Sequence, residues 1–213
     1  SELKVGWIRR VVVVGCGLAV AQQLTGINSI MYYGTEMLTT AGFSGQAAII
    51  ANIANGVLGV VGTVLCLFVV IDRVPRRTLI LFGFCATTVV HAIITVVASV
   101  MPESTARAYV ILALSVTFVF FMQGCLNAPV WVALSELFPL RIRGFAMGLS
   151  ILCMWLVNAA LTFAFPIVVA ASGLQGIFGL FFVVGLVAVV FLWRMLPNTS
   201  GRSPAAMTHH SAG

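Results

Sequence analysis

The chain has 213 residues, 61% of them hydrophobic and 8% charged, with a formal net charge of +6 and a mean hydropathy of +1.14. Too little polar surface remains to cover a soluble domain, which excludes the ordinary globular classes. The positive balance does not indicate nucleic acid, because no basic stretch interleaved with aromatics lies outside the apolar runs.

Six apolar runs follow one another at residues 7–40, 47–71, 78–100, 108–134, 144–170 and 174–196, each at or above the roughly 20 residues that a bilayer-spanning helix needs. The expected fold class is therefore all-α and integral to a membrane. Six transmembrane helices would occupy residues 1–197, followed by a polar, disordered cytoplasmic tail over 198–213. The first run is too long for a signal peptide and lacks a small-residue cleavage site. The opening Ser1-Glu2 in place of a Met suggests a piece of a longer chain.

Charge sets an orientation. Lys4 precedes the first run and Arg9 and Arg10 stand in its opening residues, Arg73, Arg76 and Arg77 follow the second, Arg141 and Arg143 follow the fourth, and Arg194 and Arg202 close the last. Of the basic residues, Arg107 alone falls on the other side. By the positive-inside rule both termini are cytoplasmic, in a plasma or bacterial inner membrane, and the loops 41–46, 101–107 and 171–173 face outward.

Two runs are interrupted in their middles by polar and helix-breaking residues. The first carries QQLTGIN over 22–28, and the fourth carries QGCLNAPVW over 123–131. They occupy the same place in two successive triplets of helices, and paired broken helices are the usual pointer to a transporter's midplane site. In an unbroken helix Gln22, Thr25, Ser29 and Tyr33 would share a face, with Asn28 roughly 120° away from Gln22. Gly26 allows local unwinding there, so that Gln22, Gln23 and Asn28 converge on one water-lined cavity. The plainer alternative is a polar face held to a neighbouring helix by amide hydrogen bonds. Pro129 should open the fourth run in the same way, placing Asn127 and Trp131 beside a flexible point.

Other polar positions carry weaker signals. Asn52 and Asn55, and Thr88, His91 and Thr95 on one face of the third run, read as contacts within the bundle, since His91 has no acidic partner near in sequence for a proton relay. Gly56, Gly59 and Gly62, and the GxxxG of Gly144 and Gly148, are expected to allow close helix approach. Cys16, Cys66, Cys85, Cys125 and Cys153 are scattered singly, without metal-ligand spacing, and read as small apolar residues. No metal and no cofactor is implied.

No Asp, Glu, Lys or Arg lies deep in any run; Glu36 falls toward the outer end of the first. A site without fixed charge suits uncharged cargo. Carboxamides offer donors and acceptors to hydroxyl groups, and an indole covers the apolar face of a pyranose ring, so sugars and polyols fit best.

Five segments in register carry a resemblance. QQLTGINSIMYYGTEML (22–38), DRVPRR (72–77), SELFPLRIRGFAMG (135–148), the segment 155–166 and LPNTSGRS (196–203) resemble the carboxy-terminal half of the sugar porter family of the major facilitator superfamily. The resemblance implies helices seven to twelve of a twelve-helix transporter, working by alternating access on a sugar or polyol, passively or coupled to protons. It implies substrate contacts at Gln22, Gln23, Asn28, Trp131 and Asn158, a gate at Tyr32 and Tyr33, and a cytoplasmic charge network of Asp72, Arg76, Arg77, Glu136 and Arg143.

There are departures. The family's eighth-helix Asn falls near Gly59 or Val60 here, with Asn55 a turn away. Ala128-Pro129-Val130 replaces a Gly-Pro pattern, Met154 stands where some members carry Asn, and Pro197-Asn198-Thr199-Ser200-Gly201-Arg202 replaces Pro-Glu-Thr-Lys-Gly-Arg. The expected partners are a neutral sugar or polyol, the lipid bilayer, and an amino-terminal six-helix half or a second copy. An inactive remnant is the other outcome. Two rival classes stay open: a facilitator of drugs or organic acids, which would be expected to show a buried charge, and a membrane enzyme, for which His209 and His210 in the tail and the isolated His91 supply no constellation.

Overall fold

The computed structural model describes residues 2–197; the expected tail over 198–213, with Arg202, His209 and His210, lies outside the described residues. The described chain is helical throughout, in the order α1 (Glu2–Leu24), α2 (Ile27–Ala41), α3 (Gly45–Leu65), α4 (Arg76–Val100), α5 (Thr105–Phe121), α6 (Ala128–Leu137) and α7 (Arg143–Met195). Among the described residues, five stretches are long and apolar enough to cross a membrane, of which α7 is the longest at 53 residues. At 1.5 Å per residue α7 would run to about 80 Å as a straight helix, far beyond the roughly 30 Å of a hydrocarbon core. It is in fact two helices joined at Gly173, whose φ of 69° and ψ of −171° are not helical. The turn between the fifth and sixth apolar runs, expected as the loop 171–173, is thus one glycine long.

The first apolar run divides into α1 and α2 at Thr25 and Gly26. Gly26 has φ 78° and ψ 16°, a left-handed conformation that costs other residues about 1–2 kcal/mol. A Cβ at Gly26 would also lie 2.4 Å from Cζ of Phe181, so glycine is required twice over. The Thr25 hydroxyl closes the end of α1 by donating to the carbonyl of Gln22 at 2.6 Å. α2 stops at Gly42, with φ 126°, and Ser44 and Ser104 cap α3 and α5 by accepting from the backbone of Ala47 and Arg107.

The fourth run divides differently. Between α5 and α6 the chain widens into a π-helical segment, Met122–Asn127, with Pro129 near the start of α6. The break expected at Pro129 therefore lies on its amino-terminal side, where a ring without an N–H cannot continue the hydrogen-bond ladder. A second π segment, Cys66–Val70, extends α3, and nothing in the sequence reading anticipated it.

The core is mainly apolar, but a set of polar residues is buried within it while large apolar side chains are left on the outside, an arrangement suited to a membrane. Gln22, Gln23, Ser29, Asn55, Thr88, His91, Ser115 and Asn158 are buried, while Ile49, Ile53, Val57, Val60 and Val64 form an exposed stripe down α3 at helical spacing. Asn55 is fully bonded in this interior: its Nδ2 donates to Asn52 and its Oδ1 accepts from Ser115.

The glycines sort unevenly. A Cβ on Gly62 would lie 2.7 Å from the Phe120 carbonyl oxygen, and one on Gly59 would lie 3.1 Å from Val119, so α3 packs closely on α5 and the π segment after it. Gly56, Gly144 and Gly148 have nothing within 4 Å. The GxxxG of Gly144 and Gly148 thus makes no close helix approach within the described chain, contrary to expectation, because its face of α7 is turned outward.

Candidate functional site

The two broken runs meet at one side-chain oxygen. Asn127, the last residue of the π segment, accepts from Gln22 Nε2 at 3.1 Å and from Trp131 Nε1 at 3.3 Å through its Oδ1. A carbonyl-type oxygen has two lone pairs, so both bonds are allowed at once. The i to i+4 spacing puts Asn127 under the indole on one helix face, and the end of α1 brings Gln22 to it. Gln22 Oε1 is buried without a partner, an acceptor left open in an interior where such groups are nearly always satisfied.

A second cluster joins α2 to α7. The Tyr33 hydroxyl donates to the Thr162 carbonyl at 3.3 Å, and its ring stacks on Phe165 with centroids 5.0 Å apart and planes 8° from parallel. Ser29 Oγ and Thr162 Oγ1 are buried without partners, and Asn158, one turn before Thr162, is buried too. Tyr32, next in sequence to Tyr33, is 57% exposed. The expected gate pair is therefore split between the interior and the chain surface.

Gln22, Trp131 and, through Asn127, the two breaks are brought together. Gln23, Asn28 and Asn158 lie on the same elements, with Gln23 and Asn158 buried and Asn28 partly so. Their side chains make no hydrogen bond among the described residues. Asn127 was expected beside the flexible point at Pro129 together with Trp131, though not as a substrate contact; Thr162 and Phe165 were not expected, and the sequence offers no signal for them.

The expected charge network is only partly assembled. Arg76 pairs with Glu136 at 3.9 Å, with side chains 19% and 35% exposed, and its Nη1 also donates to the Ile71 carbonyl. Arg77 donates to the Trp193 carbonyl at 2.7 Å and Arg143 to the Phe138 carbonyl at 3.3 Å. Glu136 is thus bonded across to Arg76 at the start of α4 and not to Arg143, and Asp72 is exposed. Partly exposed pairs of this kind are individually worth about 0–1 kcal/mol. Among the described residues, no group of three His, Cys, Asp or Glu is placed to hold a metal.

Myo-inositol transporter IolT of Bacillus subtilis is 46% identical over 95% of this chain and 43% of its own length. Glucose transporter GlcP of Staphylococcus epidermidis is 33% identical over 95% of the chain and 45% of its own length. Among solved structures, a D-xylose-proton symporter superposes with a TM-score of 0.80 at 28% identity, covering 91% of this chain and 44% of that one. The inward-open xylose transporter XylE of E. coli superposes with a TM-score of 0.78 at 25% identity, covering 93% and 41%. The chain spans less than half the length of these relatives, which are transporters and not enzymes. The family described as "Sugar (and other) transporter" matches residues 2–209, and the chain belongs to the sugar porter family of the major facilitator superfamily.

Proposed function

We propose that this chain is the carboxy-terminal six-helix half, helices seven to twelve, of a transporter that moves a neutral monosaccharide or polyol by alternating access. The observation that carries the reading is the Gln22–Asn127–Trp131 cluster, which places carboxamides and an indole where two interrupted helices meet. Gln22 Oε1, without a protein partner, is an acceptor suited to a sugar hydroxyl. Gln23, Asn28 and Asn158 add further amide groups, with Tyr33 closing over the site and Tyr32 turned to the chain surface.

The alternative cargo class, drugs or organic acids, is disfavoured by charge. Among the described residues the buried charged side chain is Arg107, in the first turn of α5 and far in sequence from both breaks. An ionic substrate at the cluster would lack a counter-ion, at a cost of several kcal/mol. The names of the similar proteins, transporters of myo-inositol, glucose and xylose, favour hydroxylated neutral cargo.

Six crossings follow when α7 is counted as two, with both termini and the charges Asp72, Arg76, Arg77, Glu136 and Arg143 on the cytoplasmic side. The Arg76–Glu136 pair would then hold that side closed in one state and separate in the other. A companion amino-terminal half would complete the pathway. The outward face bearing Gly144 and Gly148, which has room for a close-packed helix, is a surface on which it would pack.

The test is uptake into liposomes by the chain assembled with its companion half, from a panel of labelled sugars, polyols and organic ions. Saturable uptake of a neutral polyol or sugar is expected, reduced about five- to tenfold by Gln22→Ala and by Asn28→Ala, since one lost hydrogen bond to substrate accounts for about 1–1.5 kcal/mol. Unchanged kinetics in both variants would remove the site, and uptake of charged compounds alone would transfer the chain to the rival class.

A further inference from the structure

Where α1, α4 and the second half of α7 meet there is a small, partly open cavity, bordered by Thr25, Thr87, Thr88, His91, Phe181 and Gly185 among others. It has about 10 Å³ of room for a water-sized occupant, close to the least that one water molecule needs. His91 is 1% exposed and its ring is caged by Phe118, Phe178 and Phe181 at centroid distances of 4.7, 5.8 and 5.5 Å. Its Nε2 is buried with no hydrogen-bond partner.

An orphaned imidazole nitrogen beside a largely apolar space that three threonines also border asks for an occupant. The Thr25 hydroxyl already donates to the Gln22 carbonyl at 2.6 Å, and the Thr87 hydroxyl to the Gly83 carbonyl at 2.9 Å. Their protons are spent, so what they can still do is accept. An occupant can therefore donate to those two oxygens, exchange a bond in either direction with the Thr88 hydroxyl, which also lines the space, and satisfy Nε2, which donates or accepts according to its tautomer. A metal ion would find neither a carboxylate nor a thiolate in the lining, and an apolar atom would leave Nε2 bare.

We propose that this cavity is a binding site for one ordered water, held by His91 Nε2 and the threonine hydroxyls. Water fits these constraints: it has the size, and it can donate to a threonine oxygen while it either accepts from Nε2–H or donates its second proton to a bare Nε2. The position gives it a role. Thr25 is the residue at which α1 ends, and Phe181 is the ring against which Gly26 is pressed. The water ties the first helix break to α4 and α7 through bonds that can exchange partners while the break changes angle. The assignment stands independently of what the protein carries.

The test uses the protein reconstituted in lipid, labelled with ¹⁵N-histidine and carrying His209→Asn and His210→Asn so that one imidazole reports. Water-edited solid-state NMR should show magnetisation passing from a bound water to Nε2; absence of transfer overturns the site. Thermal melting supplies a second readout of opposite sign for the two cases. With a bound water, His91→Leu removes an anchor and should lower the melting temperature by about 2–4 °C. With a dry cavity, the same change removes an orphaned polar group and leaves the melting temperature equal or higher, which overturns the proposal. Should His91→Leu fail to fold, the NMR experiment on the chain that keeps His91 still decides.

Discussion

Asn127 holds the candidate site through one oxygen, and that makes it a sharper probe than the residues flanking it. Removing it by Asn127→Ala leaves Gln22 Nε2 and Trp131 Nε1 without their acceptor, and both side chains lose the orientation that the proposed site requires of them. Each unmade bond at a partly buried position costs about 1–3 kcal/mol, shared between the empty protein and the complex. We expect sugar affinity, measured by equilibrium binding to the assembled transporter, to fall about tenfold, a loss of about 1.4 kcal/mol. Unaltered affinity would show that Asn127 does not position the site. The residues Gln22, Gln23, Asn28 and Trp131 were legible in the sequence because polar amides and an indole stand out within apolar runs. The bond from Gln22 to Asn127 was not legible, since it joins residues 105 apart in the chain and depends on how α1 lies against the π segment. Tyr32 and Tyr33 illustrate the same limit. As neighbours on a helix they point roughly 100° apart, and only packing decides which of them faces Phe165.

At the scale of the helix, the interruptions were legible and their form was not. Gly26 within QQLTGIN and Pro129 within QGCLNAPVW announce that the ladder is disturbed. Whether the disturbance becomes a left-handed turn, as at Gly26, or a π segment, as before Pro129, depends on what lies opposite. A Cβ on Gly124 in the π segment would sit 3.0 Å from the Gly62 carbonyl oxygen, so that segment is fitted to α3 backbone against backbone. GxxxG spacing likewise says that a helix has a smooth face, without saying which helix meets it. Gly56, Gly59 and Gly62 read alike in sequence, yet Gly62 meets backbone at 2.7 Å and Gly56 meets nothing within 4 Å. This separates two substitutions of the same chemistry. Gly62→Ala should destabilise the protein by about 1–3 kcal/mol through forced separation of α3 from α5. Gly56→Ala, in open space, should be neutral or stabilising by a few tenths, as alanine favours helix. Thermal melting of both variants in the same detergent checks the ordering; equal shifts would contradict the close contact at Gly62.

Across the whole molecule, the proposed function makes the buried amides, the outward apolar stripe of α3 and the small-residue face of α7 parts of one wall of a pathway. Alternating access moves two bodies about a fixed midplane site, and a sugar held by a single wall would stay open to water on its other side. The similar proteins are more than twice as long as the stretch this chain matches, with coverage of 43% and 45% of their lengths. The chain on its own should therefore insert and fold in liposomes yet give no saturable sugar uptake above protein-free vesicles, and addition of the amino-terminal half should restore it. Gly148→Phe sharpens the comparison. Nothing within 4 Å opposes a side chain there, so the isolated chain should keep its melting temperature, while the bulky ring should block close approach of the companion and abolish the restored uptake. Saturable uptake by the chain alone would mean that copies of it build the pathway between them, and the half-transporter reading would fall.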